Sequence, residues 1–321
     1  MKAAVYRTYG PPEVLQIEEV DKPVPADNEV LIRIVASTVC AADWRLRKPE
    51  PFFVGWVMNG FPKPKKIHVL GMEFAGTVDS IGPKVTRFQV GDRVFGLTWR
   101  FGAHAEYASR SQDGSLTKMP DNASFEEAAA IPFGGVAALH FLKLAGIKAE
   151  QKVLIYGASG SVGTAAVQIA KHFGAHVTAV CSTANLGLVK SLGADEVVDY
   201  TKDDFSKGGR VYDIIYDTVG KGIFRQSMRA LKRPGVKVEA GPGLESVLGG
   251  AWAKLTGAGK VIGGVAKGGL PALEFLRELF EKGELRAVID RRFPLADIAE
   301  AHRYAESGHK RGNVVITISP G

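Results

Sequence analysis

Three groups of residues in this 321-residue chain have types and spacing suited to chemistry. The first is a glycine turn. Residues 153–170, V-L-I-Y-G-A-S-G-S-V-G-T-A-A-V-Q-I-A, pass from an apolar strand pattern through glycines directly into a helix pattern. At Gly160 a backbone without a side chain can approach a pyrophosphate. At Gly163 the helix can pack closely on the strand. The free N–H groups at the helix start would then face the negative charge. The spacing departs from G-x-G-x-x-G, because Ala158 holds the first glycine position and Gly157 stands one residue earlier. A bare turn is the competing reading, but strand, turn and helix in this order point to a dinucleotide site.

The second group concerns which dinucleotide. NAD sites usually place an acid about 20 residues further on, at the end of the next strand, to hold the ribose 2′-hydroxyl. Here that position reads Cys181-Ser182-Thr183-Ala184-Asn185, with no carboxylate. The hydroxyls of Ser182 and Thr183 can accept a 2′-phosphate that an acid would repel, and Lys190 and Tyr200 can reach the same corner. They can also simply cap the following helix. The missing acid favours NADPH over NADH.

The third group is S-T-V-C-A-A-D-W-R, residues 37–45, where Cys40 precedes Asp43 by three places. Cys40 could be a metal ligand, a nucleophile or a wall of a pocket. No histidine is paired with it by any local pattern, which argues against an activated nucleophile. Asp43 is a candidate catalytic carboxylate, or one that hydrogen-bonds within the pocket wall.

Composition narrows the setting. The length suits two domains, and 45% hydrophobic residues with a mean hydropathy of +0.01 support a full core. Forty-one basic against 34 acidic residues give a net charge of +7, but the charges are scattered. A mild excess suits a phosphate-bearing ligand and argues against a nucleic-acid partner. Two cysteines cannot build a disulfide framework or a four-cysteine zinc lobe, and they fit a reducing compartment. No signal or transit pattern opens the chain, and residues 153–170 carry too many small residues to span a bilayer. The expectation is a soluble cytoplasmic protein without a membrane partner.

The elements that must position these groups fall into two textures. Residues 3–6, 15–20, 30–36, 73–81 and 92–95 read as short strands separated by Gly and Pro, an antiparallel barrel-like domain. At residues 121–130, D-N-A-S-F-E-E-A-A-A reads as a capped helix start with acids in its first turn. Thereafter strands at 152–156, 176–181, 196–200, 213–216, 237–240 and 260–264 alternate with helical segments, which implies a doubly wound parallel sheet. Helices near 270–282 and 295–307 and a strand at 313–318 close the chain.

Several segments resemble a known family. F-A-G-T-V-D-S-I-G (74–82), V-G-D-R-V-F-G (90–96), I-P-F-G-G-V-A-A-L-H-F-L (131–142), S-L-G-A-D-E-V-V-D-Y (191–200) and G-H-K-R-G-N-V-V-I (308–316) are similar to the medium-chain dehydrogenase/reductase superfamily. They most resemble its zinc-independent quinone oxidoreductase branch, across essentially the whole chain. The resemblance implies an α/β fold: a GroES-like antiparallel β-barrel catalytic domain over 1–122, completed by 267–321, and a Rossmann dinucleotide-binding domain over 123–266. It places Ser161, Val162 and Gly163 at the pyrophosphate, Ser182 and Tyr200 at the 2′-phosphate, and Thr218 near the ribose and nicotinamide. His309, Lys310 and Arg311 would reach the cofactor from the C-terminal segment. Where relatives often carry threonine near the nicotinamide, this chain has Ala137. It also implies a homodimer.

Zinc-dependent members take a cysteine from C-x-S/T-D, a histidine from G-H-E and a further ligand near the start of the Rossmann domain. Cys40 matches the first, but Met72 replaces the imidazole, residues 132–136 (P-F-G-G-V) hold no ligand, and Ala42 removes the hydroxyl. A catalytic zinc needs about three protein ligands, so no metal is expected. Without one, hydride transfer suits acceptors that spread charge through conjugation, namely quinones and α,β-unsaturated carbonyls. The partner would be a small apolar electrophile, met by an aromatic loop with Phe52, Trp56 and Phe61 and by Phe133. An NAD(P)-dependent alcohol dehydrogenase or carbonyl reductase and a non-catalytic NADPH-binding module are the competing readings. Cys40 is then best read as a pocket-wall residue.

Overall fold

The computed structural model describes residues 1–50, 52–220, 223–240 and 259–320. The chain divides into two compact units, Met1–Phe133 with Gly269–Gly321, and Gly134–Gly268.

The first unit holds β1 (Lys2–Val5), β2 (Gln16–Glu19), β3 (Glu29–Thr38), β4 (Glu73–Ile81), β5 (Arg93–Leu97), β6 (Tyr107–Ser111) and β7 (Leu116–Lys118). After the chain returns it adds β14 (Ile289–Pro294) and β15 (Asn313–Thr317). β3 is the axis of this unit. It pairs antiparallel with β4 along its length, with β6 at Glu29–Arg33, and with β15 at Ala36–Thr38. A strand bonded on both sides and buried on both faces needs a largely apolar run, and V-L-I-R-I-V supplies it, interrupted only by the half-buried Arg33. Val30, Ile32 and Ile34 enter one core with Phe74 and Val94, while Val39 and Cys40 enter another with Met72, Ile298 and Ile316.

Two short helices follow β3: α1 (Ala41–Arg47) and α2 (Phe52–Asn59). The segment expected as an aromatic loop is therefore helical. Its uncharged run F-F-V-G-W-V-M-N contains no proline, and Asn59 fixes its end by hydrogen bonds to Tyr6 and to the 66–67 backbone. Helix α3 (Phe125–Ala129) carries the predicted cap, Ser124 and Glu127 holding each other's backbone N–H. It packs on β3, β4 and β5, so the first unit runs past residue 122 to Phe133.

The second unit is an all-parallel sheet of β8 (Lys152–Tyr156), β9 (His176–Cys181), β10 (Glu196–Asp199), β11 (Tyr212–Asp217), β12 (Leu231–Ala240) and β13 (Lys260–Gly264). Its order, β10-β9-β8-β11-β12-β13, is the 3-2-1-4-5-6 arrangement of a dinucleotide-binding sheet. In chain order helix α4 (Pro132–Ala145) comes before β8, helices α5 (Ser161–His172) and α6 (Leu186–Ser191) connect the first three strands, and α7 (Phe224–Ala230) lies between β11 and β12. Among the described residues no helix is long and apolar enough to cross a membrane.

Candidate active site

In the second unit the glycine turn lies between β8 and α5. Gly157 adopts φ +77° and closes the turn, the Gly160 N–H donating to its carbonyl at 3.1 Å. A Cβ on Gly163 would stand 2.2 Å from the Gly157 oxygen, so helix and turn can meet only with glycine there. Gly160 differs: a Cβ there would have its nearest neighbour at 3.6 Å. The fold itself leaves that face open, as close approach by a pyrophosphate requires.

Beyond the turn, the end of β9 brings three polar side chains together. The Asn185 amide donates to the Ser159 hydroxyl at 3.2 Å and to the Ser182 hydroxyl at 3.1 Å, leaving its buried Oδ1 without a partner. Ser182 keeps its own proton for a ligand. Ser159 and Asn185 were not foreseen, because nothing in the sequence pairs positions so far apart. The Thr183 hydroxyl, expected at the same phosphate, is engaged here, donating to Asp199 at 2.5 Å. The hydroxyls of Thr183 and Thr201 and the Thr201 N–H hold the Asp199 carboxylate down to about 2. Thr218 is likewise engaged, donating to the Tyr156 and Gly157 carbonyls, so it fastens the turn. Tyr200 is about half exposed and lines a cavity of about 260 Å³ with Tyr156, Phe205, Lys202 and Lys207. These residues, with the helix start, fit a nicotinamide dinucleotide.

In the first unit the chemistry gathers around Cys40. The Asp43 carboxylate accepts the Cys40 N–H and the Gly71 N–H, each at 2.8 Å. It joins the cap of α1 to the segment that leads into β4, and both oxygens are engaged in that structural task. Gly71, at φ +95°, allows this approach, since a Cβ would stand 2.6 Å from the His104 nitrogen. Two residues on, Glu73 is wholly buried. Its carboxyl accepts the Thr38 hydroxyl and, at 2.6 Å, the Phe133 N–H. Burial lifts it to about 7. Burial with the nearby Asp43 and Glu73 carboxyls raises the Cys40 thiol well above its ordinary value, so it stays protonated. Sequence reasoning missed Glu73 as a site residue. Its place after Gly71-Met72 was the available signal.

Phe133 packs beside this core. Trp56 is half-buried, its ring 4.2 Å from that of Phe61, while the Phe52 side chain lies outside the described residues. Lys310 and Arg311 lie in the turn before β15. Arg311 donates to Asp290 from its Nε at 3.2 Å and from its backbone N–H at 2.8 Å.

The donors around Cys40 do not fit a catalytic zinc. Met72 offers a buried thioether, and the Asp43 and Glu73 carboxyls are already hydrogen-bonded. Among the described residues no group of three His, Cys, Asp or Glu could hold a metal ion.

Comparison with known proteins bears on the whole chain. Residues 26–140 match the alcohol dehydrogenase GroES-like domain, and residues 192–316 match the zinc-binding dehydrogenase family. A 2-methylene-furan-3-one reductase from Solanum lycopersicum is 34% identical over 98% of this chain and 79% of its own length. The quinone oxidoreductase of Coxiella burnetii superposes with a TM-score of 0.89 at 30% identity, covering 99% of each chain. That of Escherichia coli, solved with NADPH, gives 0.85 at 26%, covering 99% of this chain and 100% of the other. The 3-2-1-4-5-6 sheet, its glycine turn and these matches agree: the chain is an oxidoreductase of the medium-chain dehydrogenase/reductase superfamily, in its quinone oxidoreductase-like branch.

Proposed function

We propose that this protein is an NADPH-dependent reductase that transfers hydride to a quinone or an α,β-unsaturated carbonyl without a metal. The observation that carries this reading is the make-up of the Cys40 cluster. A protonated thiol, a thioether and two occupied carboxyls stand where an electrophilic metal would need open donors. Without that electrophile, an isolated carbonyl or alcohol gains little help, whereas a conjugated acceptor disperses the incoming charge itself. The tomato relative, a reductase of a methylene-furanone, supports the same substrate class. Support for NADPH comes from the free Ser182 hydroxyl, the absence of an acid at the end of β9, and the cofactor of the Escherichia coli structure.

Reduced nicotinamide, when bound, supplies the hydride and its electron pair. The chain's own residues do the rest. The α5 start and Gly160 receive the pyrophosphate, Ser182 and Tyr200 the 2′-phosphate, and the Cys40 wall with Phe133 and Trp56 holds a flat apolar acceptor. The reading carries with it a small electrophile as substrate and a homodimer as assembly. Purified protein is expected to oxidise NADPH faster than NADH with small quinones and enones, followed by the loss of NADPH absorbance, and to do so after chelator treatment. Activity that required added zinc would overturn the metal-free reading.

A further inference from the structure

Asn185 joins the glycine turn to the segment after β9, and only 9% of it is exposed. One amide hydrogen goes to the Ser159 hydroxyl at 3.2 Å and the other to the Ser182 hydroxyl at 3.1 Å. Its backbone N–H donates to the Ser182 carbonyl at 2.9 Å, which fixes the approach. Turning the amide over would hand both hydroxyl protons to its oxygen and leave two buried N–H groups without acceptors. As it stands the one orphan is Oδ1, and a single orphaned acceptor costs less than two orphaned donors. The amide is thus held with its nitrogen toward the serines. The consequence falls on the hydroxyls. Each has one proton and two lone pairs, and Asn185 already occupies a lone pair of both. Among the described residues no acceptor takes either proton. Both serines are half-buried, with one side open to solvent, and Ser159 immediately precedes the open face at Gly160. Asp199, opposite Cys181 in register, is bound by the Thr183 and Thr201 hydroxyls instead.

We propose that Asn185 is the positioning residue that sets the preference for a 2′-phosphorylated cofactor, by turning the Ser159 and Ser182 protons outward as a pair of donors. This rests on the reading of the site as one for NADPH. A phosphate dianion can only accept hydrogen bonds, and it gains most from donors that are already oriented. A ribose 2′-hydroxyl carries a proton of its own and gains less from two outward protons. An amide suits this task because its nitrogen donates to both serines and carries no charge. A carboxylate in its place would accept both hydroxyl protons, leave lone pairs facing outward and repel the phosphate.

The test measures binding rather than turnover, by calorimetry with adenosine 2′,5′-bisphosphate and with adenosine 5′-monophosphate. Wild type is compared with Asn185→Leu, with the pair Ser159→Ala and Ser182→Ala, and with all three changes together. Asn185→Leu is expected to weaken the bisphosphate about tenfold and to leave the monophosphate unchanged. In the protein lacking both serines the same change is expected to cost nothing further, because the protons it directed are gone. Asn185→Asp keeps the size and both hydrogen bonds, so it guards against a folding defect in the leucine variant. It is expected to weaken the bisphosphate about a hundredfold and to keep the monophosphate. Equal losses for both probes, or an effect of Asn185→Leu that persists in full without the serines, would assign Asn185 a structural role and overturn the proposal. So would an Asn185→Asp protein that still prefers the bisphosphate. In each of those cases the NADPH reading stands. A wild-type protein with no preference for the bisphosphate would overturn the NADPH reading and this proposal with it.

Discussion

At the scale of single residues, Glu73 concentrates the physics of the first unit. A carboxyl removed from water is tolerable because two groups donate to it, yet its raised proton affinity shows that burial outweighs those bonds. The sign for stability follows. A carboxyl whose proton affinity rises on folding contributes its stability fully below its unfolded value, 4.5, and loses it as pH rises through about 7. Glu73→Gln, which can accept from the Phe133 N–H and donate to the Thr38 hydroxyl, removes that dependence. Thermal melts across this window should show wild type losing ground to the variant as pH rises; parallel curves would refute the assignment. The identity of Glu73 is plain in the sequence. Its burial and its two donors are not, because they come from β3 and residue 133.

Among the elements, the β8 turn and α5 separate what the fold requires from what a ligand requires. Gly163→Ala drives a methyl group against the Gly157 carbonyl. It should cost about 1–3 kcal/mol of stability, seen as a lower melting temperature, and weaken the dinucleotide as well. Gly160→Ala meets no neighbour closer than 3.6 Å at an ordinary backbone angle, φ −80°. It should melt like wild type and still lose NADPH affinity, by titration, because its methyl group would stand on the face proposed to receive the pyrophosphate. Equal affinity in the Gly160 variant would remove the pyrophosphate from this turn. Both glycines were legible as a motif, since strand, turn and helix are local in the chain. The occupied hydroxyls of Thr183 and Thr218 were not, because their acceptors belong to other strands.

On the scale of the whole molecule, the returning C-terminal segment completes the first unit and buries a charged network in it. Arg47, wholly buried, donates to the Gly10 carbonyl and to Glu306, and its Nε faces His302 Nδ1 at 3.4 Å. His302 stands edge to face with His104 at 5.6 Å, and His104 donates to the Thr38 carbonyl at 2.9 Å. These contacts make both rings neutral, with Nε2 carrying the proton in each. Burial, the adjacent His104 ring and the Arg47 guanidinium push His302 well below 6.5, and burial lowers His104. Stability from such a pair is fully present above 6.5 and lost as pH falls. The advantage of wild type over His302→Gln in thermal melting should therefore shrink with acidification below 6.5. An advantage independent of pH would show that the buried ring titrates normally.

What the sequence determined by itself was local or periodic. The glycine turn, the Ser124 cap, the alternation of strands and helices and the missing acid after β9 are read within a few residues, because backbone sterics and helix or strand periodicity act at that range. Tertiary structure alone decided the rest. It made Asp43 a fastener between two backbone segments and spent Thr183 on Asp199. It also set the Phe133 N–H against the buried Glu73 carboxyl, 60 residues away along the chain. Strand register and burial fix those relations. Neither leaves a mark on the spacing of residues.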